Sequence, residues 1–138
     1  MLPAGSSRDP LQGESVLNRQ QQFGQSGETV AARFLKKQRY KILETNYRTP
    51  QGEIDIIARD GDTIAFVEVK ARRSDHFGNP KGAVTIHKQR RISMAALQYL
   101  KATKQSEAKA RFDVVGISSQ TDPPTIEIIK NAFELAYK

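Results

Sequence analysis

Val30, Ala31, Phe34 and Leu35 recur at the three-and-four spacing of one helix face, and Ser26 stands where an N-cap would satisfy the first free amides. The pattern predicts a helix over residues 26–39. Residues 1–22 mix Pro, Gly, Ser and Gln with few apolar anchors and read as a disordered leader, leaving 23–138 as the folded domain. Period two then takes over. Residues 41–48 read as a strand closed by the turn signal Thr49-Pro50-Gln51-Gly52. β-branched runs on either side of Asp60-Gly61 predict a hairpin, 53–58 against 63–70. A polar loop with Gly and Pro follows over 74–82. Thr85 then caps a second helix to about Leu100, with Ile92, Ala96 and Leu100 facing inward. Residues 111–117 and 125–129 are strands divided by Asp122-Pro123-Pro124, and 131–137 read as a short terminal helix.

The element order is α-β-β-β-α-β-β. Tight turns make the first three strands antiparallel, and the strand-helix-strand passage over 63–117 makes a right-handed crossover between parallel strands. The fold class is therefore α/β, a mixed sheet with flanking helices.

At 138 residues the chain holds one domain, and its 38% hydrophobic and 27% charged residues are those of a globular protein. No run approaches the roughly 18 apolar residues of a membrane span, so no membrane partner is expected. The N-terminal segment lacks the apolar centre of a secretory signal, and the absence of cysteine excludes disulfides and thiolate metal sites. The expected location is cytoplasmic. A net charge of +7 and a pI near 9.8 point to polyanionic partners. From Lys70 to Arg91 seven Lys and Arg face a single acid, Asp75, and Arg33, Lys36, Lys37, Arg39 and Lys41 form a second basic cluster.

The hairpin brings acids together. With Asp60-Gly61 as a two-residue turn, Asp55 lies opposite Phe66 and Glu53 opposite Glu68, so that Glu53, Asp55, Glu68 and Lys70 share one face. Asp55 and Glu68 are then diagonal neighbours, able to reach a common cation. A three-residue turn would put them on opposite faces. Ile54, Ile56, Val67 and Val69 make the other face apolar, and Ile57, Ile64 and Phe66 surround the acids. Such strands lie inside a covered sheet, where like-charged carboxylates are costly unless a cation neutralises them. The alternative is an ordinary strand end in which Glu68 merely pairs with Lys70. Glu28 lies near the start of the first helix, where the helix dipole alone favours an acid, but on the side of Ala31, Ala32 and Leu35 that faces the sheet. Glu53 reads as a turn-flanking solvent residue, His76 and His87 as exposed, and Asp113 as a strand-end acid or a support for the site.

Glu28 on the first helix, Asp55 in Gly52-Glu53-Ile54-Asp55, and Glu68-Val69-Lys70 together resemble the PD-(D/E)xK nuclease signature. The stretch over 23–137 resembles the YraN-like bacterial family of uncharacterised proteins, itself similar to archaeal Holliday-junction resolvases with the restriction-endonuclease-like fold. Ile54 departs from the signature's proline. The resemblance implies a metal-dependent endonuclease acting on DNA, branched DNA included. Asp55 and Glu68 would bind Mg²⁺ or Mn²⁺, Glu28 would complete the shell directly or through water, and Lys70 would orient or help deprotonate the attacking water. Arg72, Arg73, Lys88, Arg90 and Arg91 would grip phosphates without reading bases; a solvated basic face is the plainer alternative. A homodimer is the one assembly left open. Rival functions are a nucleic-acid-binding module without turnover and a protein-interaction adaptor.

Overall fold

A computed structural model describes residues 19–72, 84–118 and 123–135, with side chains over 27–71, 84–118 and 123–135. Helix α1 (Arg19–Lys37) is followed by β1 (Lys41–Arg48), β2 (Glu53–Asp60) and β3 (Thr63–Arg72), then α2 (Ile86–Ala102), β4 (Lys109–Ser118) and β5 (Thr125–Phe133). The five strands form one mixed sheet in the order β1-β2-β3-β4-β5. All neighbours are antiparallel except β3 and β4, which are parallel across the α2 crossover. This is the α-β-β-β-α-β-β mixed-sheet arrangement expected from the sequence.

Strand alternation divides the core between the two helices. Ile56 and Ala58 of β2, Ala65 and Val67 of β3, and Val115 and Ile117 of β4 pack with Ala31 and Leu35 of α1. The opposite face presents Ile57, Ile64, Phe66, Phe112 and Val114 to Ile92, Ala95, Ala96 and Tyr99 of α2. Tyr99 meets Phe66 and Tyr47 edge-on, with ring centroids 6.0 and 5.4 Å apart. Such pairs contribute roughly 0.5–1.5 kcal/mol beyond their burial. Both faces of β2 and β3 are thus covered, as their apolar runs require.

Four expectations are corrected. Helix α1 begins at Arg19, inside the segment read as leader, and Ser26 lies within it rather than capping it. The Gln- and Arg-rich run that looked like leader is made of good helix formers. At its other end Arg39 takes a positive φ of 73° and the Tyr40 N–H reaches back to the Leu35 carbonyl at 2.9 Å, a closing bond of the Schellman type. The hairpin turn is Gly61-Asp62, since Asp60 pairs with Thr63 and Arg59 with Ile64. Gly61 supplies the positive φ of 64°, while Asp60 is held in the strand by Arg111. The terminal helix is absent over 131–133: β5 continues through Phe133, which stacks on Phe112 at 4.8 Å. Ile54, expected beside Ile56, joins the α2-side cluster instead. The alternation breaks next to Asp55, where pairing of β2 with β3 ends. The loop over 74–82 lies outside the described residues.

Candidate active site at the splayed end of β2 and β3

Glu68 lies on the α2 side of β3, in step with Ile64 and Phe66, and is only 4% exposed. The register of Ile57↔Phe66 and Ile56↔Val67 brings Asp55, at the next step, beside Glu68. A turn at Asp60-Gly61 would have made them diagonal neighbours. The turn shift moves the pairing by two residues, which brings Asp55 level with Glu68, near enough for its charge to be felt at the Glu68 carboxyl. Here the strands part, and the Val69 N–H donates to Asp55 Oδ2 at 2.8 Å. A carboxylate has taken the place of a strand carbonyl, which fixes Asp55 at the mouth of the split. Burial, reinforced by the negative charge of Asp55, pushes the Glu68 carboxyl up to about 7, while Lys88 and Lys70 oppose the rise. Lys88 Nζ stands 3.3 Å and Lys70 Nζ 3.7 Å from Glu68 Oε2.

The row of polar groups extends across the sheet. Thr45↔Ile56 and Tyr47↔Ile54 bracket Asn46, placing it opposite Asp55 on β1. Asn46 adopts a positive φ of 53°, a left-handed conformation that asparagine tolerates better than most residues. Its side chain hydrogen-bonds Glu28. Glu28 is half-buried and its carboxyl is raised, first by burial and then by the charge of Asp55. The Asn46 hydrogen bond and Arg48 pull the other way, and Glu53 adds to the rise. Because α1 starts at Arg19, Glu28 is in the helix interior and the helix dipole gives no account of an acid there. One turn of α1 comes so near β3 that a Cβ on Gly27 would sit 3.2 Å from that of Ala71. That close approach delivers Glu28 to the sheet end.

Gly52 locks the other side. A Cβ there would run into the Arg91 carbonyl, so the β1–β2 turn lies directly on the backbone of α2. Thr49 closes this turn, donating its N–H to the Gly52 carbonyl at 2.8 Å and accepting Gly52 N–H at its hydroxyl at 3.1 Å. The contact holds the turn that leads into Asp55, three residues on, against α2, whose N-terminus is capped by the Thr85 hydroxyl accepting the Lys88 N–H.

Glu28, Asp55, Glu68 and Lys70 therefore occupy one end of the sheet. Among the described residues no group of three His, Cys, Asp or Glu side chains is placed to hold a metal ion. Mg²⁺ rarely asks for such a group: it takes one or two carboxylates and completes its shell with water and substrate phosphate. Two adjacent acids, one buried with its proton held up to about 7, form a donor set of that kind. Of the basic residues, Arg90 and Arg91 are exposed on α2, whereas Lys88 reaches Glu68. The Arg72 side chain and Arg73 lie outside the described residues, as does His76, and His87 is exposed. Lys88, expected on phosphate, is instead on Glu68, and nothing in the sequence marks Asn46 as part of the site. Its position in a strand pattern gave no sign of its backbone conformation.

Asp113 does not support the site. It is fully buried on the α1 side of β4, where it accepts bonds from Arg111 Nε at 3.0 Å, the Tyr40 hydroxyl at 3.3 Å and the Asn131 N–H at 2.9 Å. Arg111 also reaches Asp60 at 2.6 Å, beside the Gly61-Asp62 turn at the other end of β2. Burial and the charge of Asp113 push the Tyr40 hydroxyl up to about 12. This is a buried brace tying β2, β4 and β5 together.

Residues 27–117 match the family described as Uncharacterised protein family UPF0102. The chain is 55% identical over 119 residues to a UPF0102 protein of Desulfosudis oleivorans, covering 86% of this chain and 95% of that one. It is 56% identical over 115 residues to one of Geobacter metallireducens, covering 83% and 94%. A more divergent relative, from Chlorobium chlorochromatii, is 48% identical over 118 residues, covering 81% and 91%. The match spans α1 to β4 and includes every residue of the acidic site, and the chain belongs to family UPF0102.

Proposed function

We propose that this protein is a divalent-metal-dependent nuclease that hydrolyses DNA phosphodiesters, branched DNA among its candidate substrates. The observation that carries this reading is the placement of buried Glu68 beside Asp55 where β2 and β3 part, with two lysines on the Glu68 carboxylate. Acids held this close, with a proton retained to about 7, are poorly explained by stability alone. They are well suited to a cation. Asp55 and Glu68 would hold Mg²⁺ or Mn²⁺, and Glu28, steadied by Asn46, would accept from its water shell. An ion held there would supply positive charge at a phosphoryl oxygen and acidity to a water. Lys70, 28% exposed at its side chain, orients the attacking water and offsets phosphate charge. Lys88 holds the Glu68 carboxylate in place from α2. Exposed Arg90 and Arg91 meet neighbouring phosphates.

The test is cleavage of junction, flap, duplex and single-stranded DNA with Mn²⁺ by the wild type and by Asp55→Asn. Cutting of at least one substrate, lost in Asp55→Asn, is expected. Binding without cutting of any of them would leave a nucleic-acid-binding module and refute turnover.

A further inference from the structure

A groove of about 550 Å³ runs between α1 and the edge strand β1. Its α1 wall carries Glu28, Thr29, Arg33 and Lys36, and its β1 wall carries Thr45 and Asn46. The helix positions repeat at three and four, so they form one face, with Lys36 roughly 4.5 Å further along the axis than Arg33. One end of the groove is Glu28, which feels the charge of Asp55. The groove therefore opens from the acidic site and leads away from it toward cations.

Those cations are available. Lys70 and Lys88 are on Glu68, Lys109 is on Asp62, and Arg111 and Lys130 are on Asp60. Arg33 and Lys36 are exposed and form no ion pair among the described residues. Beside them stand the hydroxyls of Thr29 and Thr45 and the amide of Asn46, donors that commonly contact phosphate. We infer that this groove seats the sugar-phosphate backbone of one nucleic-acid strand, with phosphates on Arg33 and Lys36 and the strand directed toward Glu28. The inference rests on the proposed nuclease reading for its direction and moves part of the phosphate grip from α2 to α1.

The test is fluorescence anisotropy of a labelled single-stranded DNA oligonucleotide with the full chain in EDTA. Arg33→Gln/Lys36→Gln is compared with Lys101→Gln/Lys104→Asn. The second pair removes the same charge from the far end of α2, and asparagine suits the positive φ of 57° at position 104. Losing two phosphate contacts should flatten the slope of log K against log salt by about 1.4 in the groove variant and leave the control near the wild type. Equal loss in both variants, or no binding by the wild type, would overturn the groove. The chain has no cysteine, which permits a second readout. Alkylation of Thr45→Cys should slow when DNA is added, while that of Gln98→Cys on exposed α2 surface stays unchanged; equal rates would overturn the proposal. Both readouts omit metal, so a failure of Mn²⁺-dependent cleavage would count against the nuclease reading while leaving a protected groove standing.

Discussion

Replacing Glu68 by Gln should stabilise the metal-free protein at pH 8 and leave it little changed at pH 5. Glutamine copies the shape of the protonated acid and cannot ionise. In the folded chain burial and Asp55 hold the Glu68 proton to about 7, against an ordinary value of 4.5. Between those two values the unfolded chain has released its proton and the folded chain still holds it. The folded state then binds more protons, so stability falls as pH rises through that window. At about 1.4 kcal/mol per pH unit over that interval, the full loss above pH 7 is at most about 3.5 kcal/mol. Lys70 and Lys88 are already counted against it, and both are solvated enough to lose their partner cheaply, with side chains 28% and 41% exposed. Thermal melts in EDTA from pH 5 to 8 would read the effect as a wild-type decline of several degrees, on the order of 3–5 °C per kcal/mol in a domain of this size. Glu68→Gln should lack that decline. A variant less stable than the wild type at pH 8, with a flat wild-type curve, would show that Glu68 is a stabilising ion-pair partner of the two lysines.

The two lysines should separate by role: Lys70→Ala and Lys88→Ala both keep or tighten Mn²⁺ binding in calorimetry, but Lys70→Ala abolishes single-turnover cleavage while Lys88→Ala slows it. Loss of metal binding in either would contradict this assignment. Gly52→Ala should lose about 1–3 kcal/mol in urea unfolding because its Cβ meets the Arg91 backbone, and an unchanged midpoint would show that the turn can move aside. Arg111→Met should destabilise by about 3–5 kcal/mol, leaving Asp113 buried without its cation, yet DNA affinity in EDTA should be unaltered in the folded protein. A selective loss of DNA binding there would place the brace in the interface.

The parts of the fold that were legible in the sequence are those where one local signal decided the outcome. The Thr49–Gly52 turn, the Thr85 cap and the alternation of β3, and of β2 beyond Asp55, each follow from side chains within a few residues of one another. The pairing of the acids was legible for a different reason: a turn shift of two residues slides the strands without separating them, so an incorrect turn still put Asp55 and Glu68 together. Long-range contacts decided the rest. Asp60 stays in its strand because Arg111, 51 residues away, binds it. Phe133 extends β5 because Phe112 offers a ring to stack on. Lys88 looked like one more cation in a basic run, and only the packing of α2 over β3 brings it to Glu68. Asn46 becomes significant only once α1 lies across β1 and offers Glu28 to its amide.

Whether Asp55 and Glu68 hold a divalent cation is decided by isothermal titration of Mn²⁺ into the wild type, Asp55→Asn and Glu68→Gln at pH 8. The account predicts a saturable heat in the wild type that is absent from both variants, each of which remains folded and at least as stable as the parent without metal. No heat in the wild type, with both variants destabilised, would contradict it and leave Glu68 and its lysines as a salt bridge at a strand end.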